Sequence, residues 1–269
     1  MLRPLLGLLV AGCLLLQAPI AAASEDSPVL SRIVKNGELR VGMSGDQAPL
    51  NVKGKSGEII GMEADLARLL AAAMRVELKI VQKPFPELLP TLKAGEVDMV
   101  MSGMTITLER NTRFAFVGPY FISGKSILTK SATLAKADES QDINAKDLTL
   151  AALAGSTSQS FVELVAPNAK LVTIQTYEEG VKLVLEDKAS ALVADFPICV
   201  LSLLRHPDSG LATLTVPLTV EPVGIALPAG DPLLVNLVEN YLGALEGMGL
   251  LERLREKWFV DGSWLSELP

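Results

Sequence analysis

The chain has 269 residues, 49% of them hydrophobic and 4% aromatic, with 24 Lys and Arg against 31 Asp and Glu for a formal charge of −7. This length supports one large or two modest domains with sizeable cores, and the apolar content excludes a disordered chain. The negative excess, without a basic stripe, and the scarcity of aromatic platforms argue against a nucleic-acid partner.

Leu5 to Leu16 form an apolar run behind a single Arg3, followed by Gln17-Ala18-Pro19 and then Ala21-Ala22-Ala23. These are the three parts of a secretory leader, which predicts a signal peptide over residues 1–23, cut after Ala23, and export to the periplasm. Val10-Ala11-Gly12-Cys13 resembles a lipoprotein cleavage box. The apolar run continues past it through Leu14-Leu15-Leu16, which argues for ordinary cleavage rather than lipidation at Cys13. No later run reaches the ~18 apolar residues of a membrane span. Without the leader Cys199 stands alone, so no internal disulfide is expected. With His206 as the one histidine, a His/Cys metal site is ruled out, and neither metal nor cofactor is expected. His206 lies in Leu204-Arg205-His206-Pro207-Asp208, which reads as an exposed helix end rather than part of a nucleophilic triad.

In chain order, strands are predicted at Leu39–Gly42, Val76–Val81, Asp98–Ser102, Lys125–Thr129, Leu148–Leu153, Leu171–Ile174, Ala191–Ala194 and Val223–Ala226. Helices are predicted at Met62–Met74, Glu87–Ala94, Ser158–Ala166, Glu178–Glu186, Pro197–Leu204, Pro232–Met248 and Leu250–Trp258. In the first helix Met62, Leu66, Leu69, Leu70 and Ala73 are expected to share one apolar face, with Glu63 and Asp65 complementing the dipole of the first turn. Gly95 reads as the left-handed stop of the second. Such alternation predicts open, mainly parallel sheets flanked by helices. A faint repeat relates Phe85-x-Glu87 and the strand ending at Gly103 to Tyr177-x-Glu179 and the strand ending at Asp195. Two similar α/β lobes would present Gly103 and Asp195 from strand carboxyl ends, where such sheets hold ligands. The polar stretch Ser131–Lys146 reads as an exposed link, and the chain is expected to return to the first lobe near Pro217–Gly224. Two crossings make a hinge.

Three segments carry candidate chemistry. In Asp98-Met99-Val100-Met101-Ser102-Gly103-Met104-Thr105-Ile106-Thr107-Leu108-Glu109-Arg110, a buried strand runs into a glycine, two hydroxyls and an arginine. The planar guanidinium suits a carboxylate through two parallel bonds, although a turn with a surface salt bridge fits the same spacing. Ala154-Gly155-Ser156-Thr157-Ser158 opens a helix, so its N–H groups offer an anion site, or Ser156 or Thr157 simply caps it. Asp195 ends a strand beside Phe196-Pro197 and either faces a ligand cation or caps the next helix. Together they describe a receptor for a zwitterion, with a cation and N–H donors for a carboxylate and a carboxylate for an ammonium.

From Leu39-Arg40-Val41-Gly42 to Glu256-Lys257-Trp258-Phe259 the chain resembles the family-3 bacterial extracellular solute-binding proteins, the amino-acid receptors of ABC importers. The elements that carry the likeness are Gly61-Met62-Glu63-Ala64-Asp65-Leu66, Leu88-Leu89-Pro90-x-Leu92-x-x-Gly95-x-x-Asp98, Ser102-Gly103-Met104-Thr105-Ile106-Thr107-x-x-Arg110 and Gly118-Pro119-Tyr120-Phe121. The resemblance implies a two-lobed α/β fold of the type II periplasmic-binding-protein kind. Lobe 1 would comprise residues 24–122 and 224–269, and lobe 2 residues 123–223. It implies that Arg110 clamps a ligand α-carboxylate with Thr105 and the Thr157 N–H, beside Ser102 and Ser156. Asp195, the Gly103 carbonyl and the Thr105 hydroxyl would hold the α-ammonium, with Phe85 as a wall of the side-chain pocket. Family members place an aromatic two residues before the loop proline. Here Gln47-Ala48-Pro49-Leu50 puts Gln47 there, so an aromatic sandwich and stacking on a cationic side chain are not expected. Gln47 either hydrogen-bonds a polar ligand side chain or points to solvent.

The expected function is a monomeric, non-enzymatic periplasmic protein that captures a small amino acid or related zwitterion by hinge closure and delivers it to an inner-membrane ABC permease complex. One alternative is a cyclohexadienyl or arogenate dehydratase, which this family also resembles. Those enzymes supply a Glu after their second-lobe turn, whereas Gly155-Ser156-Thr157-Ser158-Gln159 ends in an amide that cannot shuttle a proton. Another alternative is a ligand receptor for a membrane sensor.

Overall fold

The computed structural model describes residues 27–137 and 140–269. The leader predicted over residues 1–23, including Cys13, lies outside the described residues. The first half of the chain forms α1 (Pro28–Asn36), β1 (Glu38–Met43), an antiparallel trio of short strands β2 (Asp46–Gln47), β3 (Asn51–Lys53) and β4 (Ile59–Ile60), then α2 (Met62–Met74) and β5 (Glu77–Gln82). It continues through α3 (Phe85–Lys93), β6 (Met99–Val100), α4 (Leu108–Asn111) and β7 (Phe114–Ser123). The middle contributes β8 (Lys125–Thr129), β9 (Thr149–Leu153), α5 (Thr157–Val165), β10 (Lys170–Ile174), α6 (Tyr177–Leu185), β11 (Ala191–Asp195), α7 (Phe196–Arg205) and β12 (Ala212–Thr213). The chain then adds β13 (Glu221–Pro228), α8 (Pro232–Gly247) and α9 (Leu250–Arg255).

Two five-stranded sheets result, ordered β5–β1–β6–β13–β7 and β10–β9–β11–β8–β12. In each, a central strand (β1 or β9) has a parallel neighbour on either side. Parallel pairing needs a crossover, which α2 and α3 supply in one sheet and α5 and α6 in the other. Beyond β6 and β11 the pairing turns antiparallel, through β13 and β7 in the first sheet and β8 and β12 in the second. The repeat seen in the sequence is this shared order: Phe85 and Tyr177 each open the helix that leads into the third strand.

Several elements depart from the sequence reading. The ten-residue β7 is absent from the predicted strands, although it carries Gly118-Pro119. A proline that cannot donate to a ladder is tolerated on an edge strand, and β7 is the edge. In α2 the buried stripe is Met62, Ala64, Leu66, Ala67, Leu70 and Ala71, while Leu69 is 38% exposed and Ala73 also faces outward. The small alanines bring the helix close to the sheet, and the apolar face turns toward them. Each fully buried Leu or Met there contributes about 1.5–3 kcal/mol. The stretch Ser131–Lys146 is no simple exposed link: Leu134, Ala137 and Ile143 are buried against the second sheet's core with Ile127, Leu150 and Val193. The helix expected to reach Trp258 ends at Arg255 and widens over Glu256–Val260, where Trp258 packs on Trp264 at 5.3 Å.

The two sheets are joined twice, side by side. β7 ends at Ser123, Gly124 crosses, and β8 starts at Lys125; the return runs through Pro217–Val220 into β13. The Lys125 N–H donates to Thr219 Oγ1 (2.9 Å), and its carbonyl accepts the Leu218 N–H (2.7 Å). A Cβ at residue 124 would lie 2.2 Å from the Thr219 carbonyl, so the close approach of the crossings requires glycine. A third apolar cluster spans both units, with Phe85, Leu88 and Met104 from one and Leu153, Tyr177 and Ile198 from the other.

Asp98 anchors the entry to β6. Fully buried, it accepts the Arg40 N–H (2.7 Å) and Arg40 Nη2 (2.8 Å) and is paired with Arg32. Asp98→Ala leaves two guanidiniums facing an empty acceptor site. Because both are partly solvated, the expected loss is about 2–4 kcal/mol, read by urea unfolding. A loss under about 1 kcal/mol would show that this ion cluster does not anchor the strand.

Candidate functional site

The carboxyl ends of β6 and β11 face one cleft. Thr107 caps the short α4 by accepting the Arg110 N–H (3.1 Å), which fixes where the arginine emerges. The guanidinium is buried, with Nη1 donating to the Thr105 carbonyl (2.8 Å) and Nη2 crossing to the Gly155 carbonyl at the start of α5 (3.2 Å). Burial holds it below its ordinary value, opposed by the charges of Glu221, Glu109 and Asp195. Thr105 Oγ1 meets Thr157 Oγ1 at 3.4 Å across the same gap. Ser156 is occupied: its hydroxyl accepts the Ser158 and Gln159 N–H groups and donates to the Leu153 carbonyl (2.7 Å). That is the capping role, and it leaves Thr157 as the residue turned to the gap.

Asp195 does not cap α7 with its side chain. It lies opposite Lys125 in the antiparallel register of β11 and β8, and Lys125 Nζ contacts Asp195 Oδ1 at 2.5 Å. Lys125 is 1% exposed and also lies 3.6 Å from Glu221 Oε2 on the return crossing. A buried ammonium is tolerated when carboxylates compensate its desolvation, and here two share it. Among the described residues no hydrogen bond reaches Asp195 Oδ2. The Tyr177 phenol, also buried, is raised well above its ordinary value by burial and then by Asp195 and Asp46. Phe85 is buried in the shared apolar cluster.

Gln47 and Ser102 depart from expectation. Both are buried beneath the cleft floor, where Gln47 Nε2 donates to Ser44 Oγ (3.2 Å) and Ser102 Oγ takes the Ser44 N–H (2.9 Å). A Cβ at Gly103 would lie 2.1 Å from Gln47 Oε1, so Gln47 supports the glycine from below rather than reaching a ligand. The floor ends on Glu63, which accepts the Gly103 N–H (2.7 Å), the Asn51 amide (2.5 Å) and the Tyr120 hydroxyl. Burial raises the Glu63 carboxyl above its ordinary value of 4.5.

Sequence reasoning missed Lys125, Glu221, Tyr177 and Asp46 at this site. A charged first residue in the otherwise neutral strand Lys125–Thr129 signals a buried ion, and the repeat signals Tyr177 as the counterpart of Phe85. Nothing in the sequence separates Asp46 from an ordinary turn aspartate.

The chain matches the family model for bacterial extracellular solute-binding proteins, family 3, over residues 39–261. It is 26% identical to the L-cystine-binding protein of Escherichia coli strain K12 over 87% of each chain. It is 27% identical to the cyclohexadienyl dehydratase of Pseudomonas aeruginosa over 91% of each. A solved structure of a putative ABC-transporter binding component from Wolinella succinogenes, complexed with lysine, superposes with a TM-score of 0.81 at 37% identity, covering 86% of this chain and 99% of that one.

The raised Glu63 carboxyl sets a pH signature. The native state keeps a proton that the unfolded chain releases near 4.5, so this group lowers stability as pH rises from there through its folded value. Glu63→Gln should therefore gain stability relative to the parent as pH rises between about 4 and 8, measured by denaturant unfolding. Parallel curves would show that Glu63 titrates no differently in the fold.

Proposed function

Because this chain belongs to the bacterial extracellular solute-binding proteins of family 3, we propose that it captures an amino acid between its two lobes and delivers it to an inner-membrane ABC permease. It works as a monomer in the periplasm, reached through the leader read over residues 1–23. In this reading Arg110, Thr105 and the N–H groups opening α5 take the ligand α-carboxylate, and Asp195 Oδ2 and the Gly103 carbonyl take its α-ammonium. The observation that carries it is a first-lobe guanidinium tied to the start of α5 in the second lobe, within the electrostatic reach of the second-lobe carboxylate Asp195. Arg110 bonds Gly155 across the gap, and Asp195 acts on both Arg110 and the Tyr177 phenol.

Lys125 and Glu221 fit the reading because Lys125 is shared between Asp195 and Glu221, so the three together keep the one negative charge that an ammonium needs. Capture rather than catalysis is favoured by Gln159. Its Oε1 accepts the Gly155 N–H (2.8 Å) and its Nε2 donates to Glu163 (2.8 Å), so the position where a dehydratase would need an acid closes a loop instead. The Cys199 thiol is pushed up to about 12 by burial and offers no thiolate.

A thermal-shift screen of the common amino acids should find ligands that raise the melting temperature by mass action. Asp195→Ala should then weaken the best of them by about 30- to 5000-fold, the 2–5 kcal/mol of an ammonium buried without its partner. Arg110→Ala should act comparably through the carboxylate. Unchanged affinity in Asp195→Ala would overturn the reading, as would turnover of prephenate or arogenate to an aromatic product.

A further inference from the structure

Resting on the amino-acid reading above, we propose that Asp46 selects the ligand side chain and that the ligand is an α-amino acid whose side chain carries a positive charge, as an ammonium or a guanidinium. Asp46 stands on β2, which packs against the opening of α6 from the other lobe. Among the described residues its buried Oδ1 finds no hydrogen-bond partner. The Ser44 hydroxyl and the Tyr177 backbone N–H stabilise its charge only in part, and burial, the larger effect, raises the carboxyl above its ordinary value of 3.8. Every other carboxylate that acts on Arg110 or Tyr177 lies against a cation. Asp195 and Glu221 share Lys125, and Glu109, 82% exposed, is paired with Arg113.

The charges facing the gap then count unevenly. Arg110 and Lys125 stand against Asp46, Asp195 and Glu221, one negative charge in excess. A zwitterion, neutral as a whole, leaves that excess buried when the lobes close. A ligand with one further positive charge removes it, and desolvation makes the difference large. Asp46 meets the opening of α6 through β2, and the Tyr177 phenol that opens this helix feels both Asp195 and Asp46; in the proposal one carboxylate takes the α-ammonium and the other the side chain. Selection here is by charge, which accounts for recognition of a cation where Gln47 stands in place of an aromatic wall.

The test is calorimetric titration of the purified chain with L-lysine, L-ornithine and L-arginine, and with L-glutamine and L-norleucine as neutral probes of similar size. One of the cationic ligands should bind at least about 30-fold more tightly than either neutral one. Asp46→Asn should erase that margin by weakening the cationic ligands about 30-fold or more, while neutral binding stays within about 3-fold. Asp46→Glu, which keeps the charge, should preserve the rank order, and retained neutral binding shows that the variant folds. Preference of the parent for a neutral amino acid overturns the proposal and leaves the amino-acid reading intact. Equal weakening of all ligands by Asp46→Asn also overturns it, assigning Asp46 to holding the lobes together. Binding of none of the probes also overturns the proposal, and the amino-acid reading then stands or falls on the thermal-shift screen.

Discussion

The Arg110 guanidinium is the pivot of this protein. One nitrogen is tied to the Thr105 carbonyl of its own lobe and the other to the Gly155 carbonyl of the opposite one. With five N–H donors in a rigid fork, it spans the gap and still keeps donors for an anion. The group proposed to recognise a carboxylate is therefore also a fastener between sheets. A buried guanidinium cannot lose its charge, so its surroundings must answer it. Asp195, Glu221 and the carbonyls at the two helix openings are arranged around that requirement.

Lys125 extends the logic to the hinge. It is the first residue after one crossing, hydrogen-bonded through its backbone to the other, and its ammonium reaches Glu221 at the return and Asp195 at the cleft. The covalent link between the lobes and the proposed ammonium subsite are thus tied by one buried ion cluster. Any relative movement of the lobes changes the surroundings of charges that are expensive to leave unpaired. In the proposed reading, opening and closing about such a hinge would be coupled to what occupies Asp195.

Beneath the cleft, Ser44, Gln47, Asn51, Glu63, Ser102 and Tyr120 form a buried polar network that ends on the Gly103 N–H. Its members come from the β1–β2 connection, β2, β3, α2, the segment after β6, and β7. This is a rigid floor rather than a binding surface. A satisfied buried network holds its loop in a single geometry, and Gly103, with φ of 57°, needs that support. The aromatic residue that the family resemblance led one to seek at position 47 is replaced by an amide that works from below.

The sequence by itself determined the alternation of strands and helices, the pairing of the lobes through their repeat, and the segments that carry Arg110, Thr157 and Asp195. Those are local matters of hydrophobic period, caps and strand ends. It also carried the family signature. What only the tertiary structure decided is which polar groups meet. β7 went unpredicted, its Gly118-Pro119 tolerated because the strand lies at a sheet edge, and Leu69 and Ser131–Lys146 took their burial from neighbours remote in the chain. Gln47 and Ser102 turned inward because Glu63 and Asn51 wait there. Lys125 found Asp195, and Asp46 was left with a buried oxygen and no partner. Charge pairing depends on through-space distance and on exclusion of water, and neither is written in the order of residues along a chain.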